Sequence, residues 1–103
     1  MKRKRTKKHE AAQIMQNVPD NKAFWASNGS VLKNLGDLAM ALEAMSLEQY
    51  KRHANYEKND FCNWLNEVVR DEILAKELIH ARNKESAVKK VRERIETLKG
   101  MLP

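Results

Sequence analysis

Ser46-Leu47-Glu48-Gln49 stands between two stretches of apolar residues at helical spacing, and that punctuation constrains the chain more than any other feature. A serine followed three residues later by glutamine starts a helix. Each side chain satisfies a backbone N–H that has no partner inside the helix. The same logic places helix starts at Asn34, at Asn59 or Asp60, at Asp71 and at Asn83. Between these starts the apolar residues recur every three or four positions. Leu38, Leu42 and Met45 form one series, with Ala41 beside them, and Phe61, Trp64, Leu65 and Val68 form the next. Leu74, Leu78 and Ala81 follow, then Val88, Val91, Ile95, Leu98 and Leu102. Each series marks one face of a helix. Short amphipathic helices bury such stripes only against one another. The expectation is a mainly α fold, a compact bundle of about four to five helices.

Residues 22–33 carry a different pattern. Ala23-Phe24-Trp25-Ala26 and Val31-Leu32 flank Ser27-Asn28-Gly29-Ser30. Asn-Gly favours positive φ at both central positions of a tight turn, so a short β-hairpin is expected near the N-terminus. Phe24 and Trp25 are neighbours on a strand and must point to opposite faces. One of them is then free to meet a partner.

Charge is distributed unevenly. Of 103 residues, 20 are Lys or Arg and 14 are Asp or Glu, a net charge of +6. Lys2, Arg3, Lys4, Arg5, Lys7 and Lys8 account for all of the excess, and the remaining 14 basic residues equal the 14 acidic ones. Residues 1–20 therefore read as a basic arm, partly disordered or helical, ending at the helix-breaking Pro19-Asp20. Residues 21–103 read as a single helical domain. Charged residues at 33% of the chain indicate well-solvated helix faces.

Several function classes are poorly served. No apolar run approaches the roughly 20 residues of a membrane span. The single cysteine, Cys62, has no partner for an internal disulfide, which fits a reducing, cytoplasmic location. Cys62, His9, His53 and His80 lack the paired spacing of a metal site, and no glycine-rich phosphate loop is present. No cofactor is expected. His53 with Asn59 and Asp60 is the one cluster that raises a catalytic question. With no activated nucleophile nearby, a hydrogen-bonded His at a helix end is the preferred reading.

Phe24, Asn28-Gly29, Val31, Asn34-Leu35, Leu38, Ala41-Leu42 and Met45-Ser46 together carry a family resemblance. It continues through Tyr50, His53, Lys58-Asn59-Asp60-Phe61, Trp64, Val68, Asp71 and Leu74-Ala75. Over residues 24–75 the chain resembles a small archaeal family known as a domain of unknown function, whose members also occur as modules appended to larger proteins. The resemblance implies a compact fold and an archaeal or related source, and no activity. Where that family often has glycine before the acidic residue, this chain has Arg70. The basic run at residues 2–8 lies outside the shared pattern.

The expected function is that of a small binding module without catalysis. Lys2, Arg3, Lys4, Arg5, Lys7 and Lys8 would contact DNA or RNA backbones, releasing counterions, with a log–log salt slope of roughly −5 for six phosphates. The rival expectation is a protein–protein adaptor, with Phe24 and Trp25 as partner contacts and an incidental solubilising tail. The C-terminal seam is expected to pack back on the domain, with pairing to a second copy as the other reading, and Lys89, Lys90, Arg92 and Arg94 around it offer a second cationic surface.

Overall fold

The helix starts expected from the sequence are realised by side-chain caps. Asn34 Oδ1 accepts the Asp37 N–H at 2.8 Å, and Asn59 Oδ1 accepts that of Cys62 at 3.1 Å. Asp71 Oδ1 accepts the Leu74 N–H at 3.1 Å, and Asn83 Oδ1 that of Ser86 at 2.7 Å. At Ser46 the exchange is reciprocal: Ser46 Oγ accepts from Gln49 N–H, and Gln49 Oε1 accepts from Ser46 N–H. Removing one such cap typically costs about 1 kcal/mol.

The computed structural model describes residues 6–81 and 83–102. In chain order these form α1 (Lys8–Met15), β1 (Phe24–Trp25), β2 (Val31–Leu32), α2 (Leu35–Ala44), α3 (Leu47–His53), α4 (Asp60–Trp64), α5 (Glu72–Ile79) and α6 (Lys84–Gly100). α6 is the spine, with α1, α2 and α5 packed against it. Leu35, Leu38 and Leu42 of α2 are buried with Leu74 and Leu78 of α5 and Val91 and Leu98 of α6 in one core. No helix among the described residues is long and apolar enough to cross a membrane.

Among the described residues six α-helices stand where about four to five were expected. One addition is α1, which is a docked helix: Ala11 and Ile14 are buried, and the helix lies on α6. The start expected at Asp71 is realised, and the chain bends between α4 and α5. Leu65–Val69 widens into a single π turn, and Arg70 takes a left-handed conformation at φ 68°. The Asp71 N–H then reaches back to Leu65 O at 2.8 Å, and Asp71 caps α5.

The hairpin is tied differently from the expected two-residue turn. Phe24 pairs with Leu32 and Trp25 with Val31, antiparallel. Ala26 N–H then donates to Ser30 O at 2.9 Å, leaving a three-residue loop. Gly29 alone takes positive φ, 88°, whereas Asn28 uses its side chain, accepting the Ser30 N–H at 3.0 Å. This is the longer hairpin closure in which one left-handed glycine follows a turn.

The C-terminal seam packs inside the chain. Val91 and Leu98 are fully buried and Ile95 nearly so, as expected of a seam that packs back on its own domain. Gly100 remains helical and Met101 follows in a right-handed conformation, so the helix ends without a left-handed cap.

Candidate binding surfaces

Lys2, Arg3, Lys4 and Arg5 lie outside the described residues. Lys7 and Lys8 are exposed at the start of α1, where the Lys7 N–H donates to Glu10 Oε1 at 3.2 Å. The segment is fixed at the point where it meets the body. Thr6 Oγ accepts from Arg94 Nη2 at 2.7 Å, and that guanidinium also forms two hydrogen bonds to Asp71, at 2.9 and 3.1 Å. Both members of this ion pair are buried. Arg94 is thereby removed from the cationic surface expected around the last helix, and Arg92 is neutralised by Glu43 at 2.7 Å. A basic face built from those residues is not present; Lys89 and Lys90 remain of the four.

The hairpin separates its two aromatics. Phe24 turns inward, its ring stacked on Phe61 at 5.2 Å and set edge-on to Trp64 at 5.9 Å. Trp64 is itself buried and donates its indole N–H to Lys22 O at 2.9 Å, which fastens the chain just before β1. Trp25 turns outward and is 74% exposed. Val31, its cross-strand neighbour, lines a hollow of about 370 Å³ with Met40 and Ala44 of α2 and the carboxylate of Asp37. Trp25, Val31 and Met40 are all exposed. Sequence reasoning found Trp25 but missed its companions. The available signal was that Met40 falls off the Leu38-Leu42-Met45 stripe.

His53 sits behind the hairpin as a clamp. Its Nε2 accepts the Ser27 N–H at 2.9 Å, and its Nδ1 lies 3.0 Å from Asp60 Oδ2. A nitrogen that accepts from an amide carries no proton, so the ring hydrogen resides on Nδ1 and is donated to Asp60. Ser27, His53 and Asp60 thus stand in line, but the serine offers its amide. Its hydroxyl donates instead to Gln49 O at 3.2 Å. Both ring nitrogens are occupied in joining the hairpin to α3 and α4. Burial pushes the Asp60 carboxyl up, and the hydrogen bonds from His53 and Lys58, with the Lys58 charge, outweigh it, so its pKa lies below the ordinary value.

Cys62 is a core residue. Its Sγ donates to Ala75 O at 3.2 Å, and burial raises its pKa to about 11. Burial likewise raises that of Tyr50. Among the described residues no group of three His, Cys, Asp or Glu is placed to hold a metal ion.

The chain matches no family model, no curated protein and no solved structure.

Proposed function

We propose that this protein is a small non-catalytic binding module that contacts nucleic-acid backbones, without sequence preference, through its basic N-terminal segment. The carrying observation is that residues 2–8 hold the whole net charge of the chain. Two features support it. α1 begins at Lys8 and is docked on α6, and Thr6 is bonded to the buried Arg94. Lys2, Arg3, Lys4 and Arg5 therefore precede a firm anchor, as a phosphate-binding arm requires. A cytoplasmic location and membership of the archaeal family that residues 24–75 resemble belong to the same proposal.

The test replaces Lys2, Arg3, Lys4 and Arg5 with Gln, keeping Thr6 and α1 intact. Affinity for duplex DNA and for single-stranded RNA is then measured against salt. The wild-type slope on duplex is expected near −5 and that of the variant near −2, at roughly 0.9 per phosphate contact. Equal slopes would refute the proposal.

A second reading, a protein-interaction adaptor, is favoured by the exposed Trp25-Val31-Met40 face. The adjoining hollow is lined by one carboxylate and no cation, which suits an apolar protein surface better than a polyanion. Trp25→Ala should leave the salt-dependent binding intact and abolish capture of a protein partner.

A further inference from the structure

Both ring nitrogens of His53 are committed, in roles that a proton treats differently. Nε2 accepts the Ser27 N–H at 2.9 Å, and Nδ1 donates to Asp60 Oδ2 at 3.0 Å. A charged imidazole donates from both nitrogens and accepts at neither. A proton added to Nε2 therefore keeps the bond to Asp60 and abolishes the bond to Ser27. It also sets one N–H against another at hydrogen-bonding distance. The side chain is 14% exposed and packs against Phe24 of β1 and Phe61 of α4, with ring centroids at 5.1 and 5.2 Å. The ring has little room to turn away from the amide.

The surrounding charges leave that difference standing. Residues 23–32, which make the hairpin and its loop, contain no ionisable side chain. On α3, Glu48 and Arg52 pair with each other at 3.2 Å, and the Gln49 carbonyl accepts the Ser27 hydroxyl at 3.2 Å. From α4 the ring meets Asp60, whose Oδ2 also takes Lys58 Nζ at 3.1 Å. The Asp60 pKa lies below the ordinary value, so its carboxylate stays charged over the range in which histidines titrate. α3 and α4 are held together apart from the hairpin, by the Ala54–Asn59 bridge and by the Asn55 N–H donated to Lys58 O at 2.9 Å. The pull of Asp60 on an added proton is therefore the same with the loop attached or detached. The Ser27 bond alone distinguishes the two states, and a proton shifts an equilibrium only through such a difference.

We propose that the line from Ser27 through His53 to Asp60 is a proton-sensitive latch, and that protonation of His53 unclasps the hairpin loop from α3 and α4. The neutral ring ties Ser27 to both helices. The charged ring holds Asp60 alone and leaves the loop on the bond from the Ser27 hydroxyl to Gln49 O. The hairpin so loosened is the one that turns Trp25 outward. Mild acid therefore acts on the Trp25 side of the molecule, while the helical core and the buried Arg94–Asp71 pair stay as they are. The basic segment takes no part, so this inference stands or falls independently of the proposed nucleic-acid contact.

The test is NMR of the isotopically labelled full chain between about pH 7.5 and pH 5, the range in which histidine changes charge. At the upper end the His53 ring nitrogens should show a protonated Nδ1 and a bare Nε2. As the ring titrates, the Ser27 amide should shift, and its protection against hydrogen exchange should fall at least about tenfold. The amides of Leu74 and Val91 should keep theirs. His53→Gln sets an amide oxygen where Nε2 stands and takes up no proton, so Ser27 should stay protected throughout. His9→Gln and His80→Gln should leave the Ser27 transition in place. Four wild-type results would each overturn the latch, whether or not the His53 variant folds: a proton on Nε2 at the upper end, a ring that stays neutral down to the lower end, Ser27 protection that ignores the ring's titration, or simultaneous loss of protection at Leu74 and Val91. A His53→Gln protein that keeps the transition would overturn it too.

Discussion

Arg94 grips Asp71 through two hydrogen bonds, Nε to Oδ2 at 2.9 Å and Nη2 to Oδ1 at 3.1 Å, in a place closed to solvent. The contact joins the capped start of α5 to the middle of α6, and Thr6 adds the N-terminal segment to the same guanidinium. Three parts of the chain far apart in sequence meet at one ion pair.

Removing one partner should therefore be far worse than removing both. Arg94→Met leaves the Asp71 carboxylate buried without its counter-ion and is expected to cost about 3–5 kcal/mol. Asp71→Ala should cost a similar amount, since it also removes the cap of α5. The pair of apolar replacements, Asp71→Leu with Arg94→Met, should recover much of the loss. Urea unfolding of the two single variants and the double variant measures the coupling. Additive losses would mean that the two side chains act separately.

Arg70 provides a simpler test. Its φ of 68° lies in the left-handed region, where a side chain costs roughly 1–2 kcal/mol and glycine nothing. Arg70→Gly is expected to raise stability by about 1 kcal/mol after the larger entropy of the unfolded glycine is counted. Arg70→Val should lower it, because a β-branched residue fits that conformation poorly. The readout is the shift of the urea midpoint at constant slope. A glycine variant less stable than wild type would show that the Arg70 side chain contributes contacts that outweigh the strain.

Asp60 predicts a pH dependence. Its folded pKa is depressed, so the unfolded chain binds the proton more readily. The stabilisation is present above the ordinary carboxylate pKa of about 3.9 and is lost as pH falls through the folded value. Asp60→Asn should be less stable than wild type at pH 5.5, and the gap should shrink progressively toward pH 2. Denaturant midpoints at pH 5.5, 4 and 2.5 follow it. A gap that stays constant over this range would place the contribution of Asp60 in neutral hydrogen bonding, with no share from its charge.

The helices and their beginnings were legible because a cap and an amphipathic stripe are local. Asn34, Ser46, Asn59, Asp71 and Asn83 each reach a backbone N–H three residues away at most, a distance set within the chain segment itself. The strand alternation that parts Phe24 from Trp25 is local in the same sense. The inward turn of Phe24 is not: it depends on Phe61 and Trp64 arriving opposite the hairpin.

What the sequence alone determined is the inventory: capped helices, a glycine-closed hairpin, and a charge excess confined to the first eight residues. The tertiary structure decided which polar residues lose their water. Arg94 reads in sequence as one of four surface cations and becomes the buried partner of Asp71, 23 positions away. His53 gains the Ser27 amide across 26 positions. Met40, Leu47 and Ile79 stay exposed only because the neighbouring helices turn other faces inward. Periodicity fixes how a helix distributes its side chains around its axis. Which helix then covers a given face depends on packing between segments distant in the chain, and no local pattern encodes that choice.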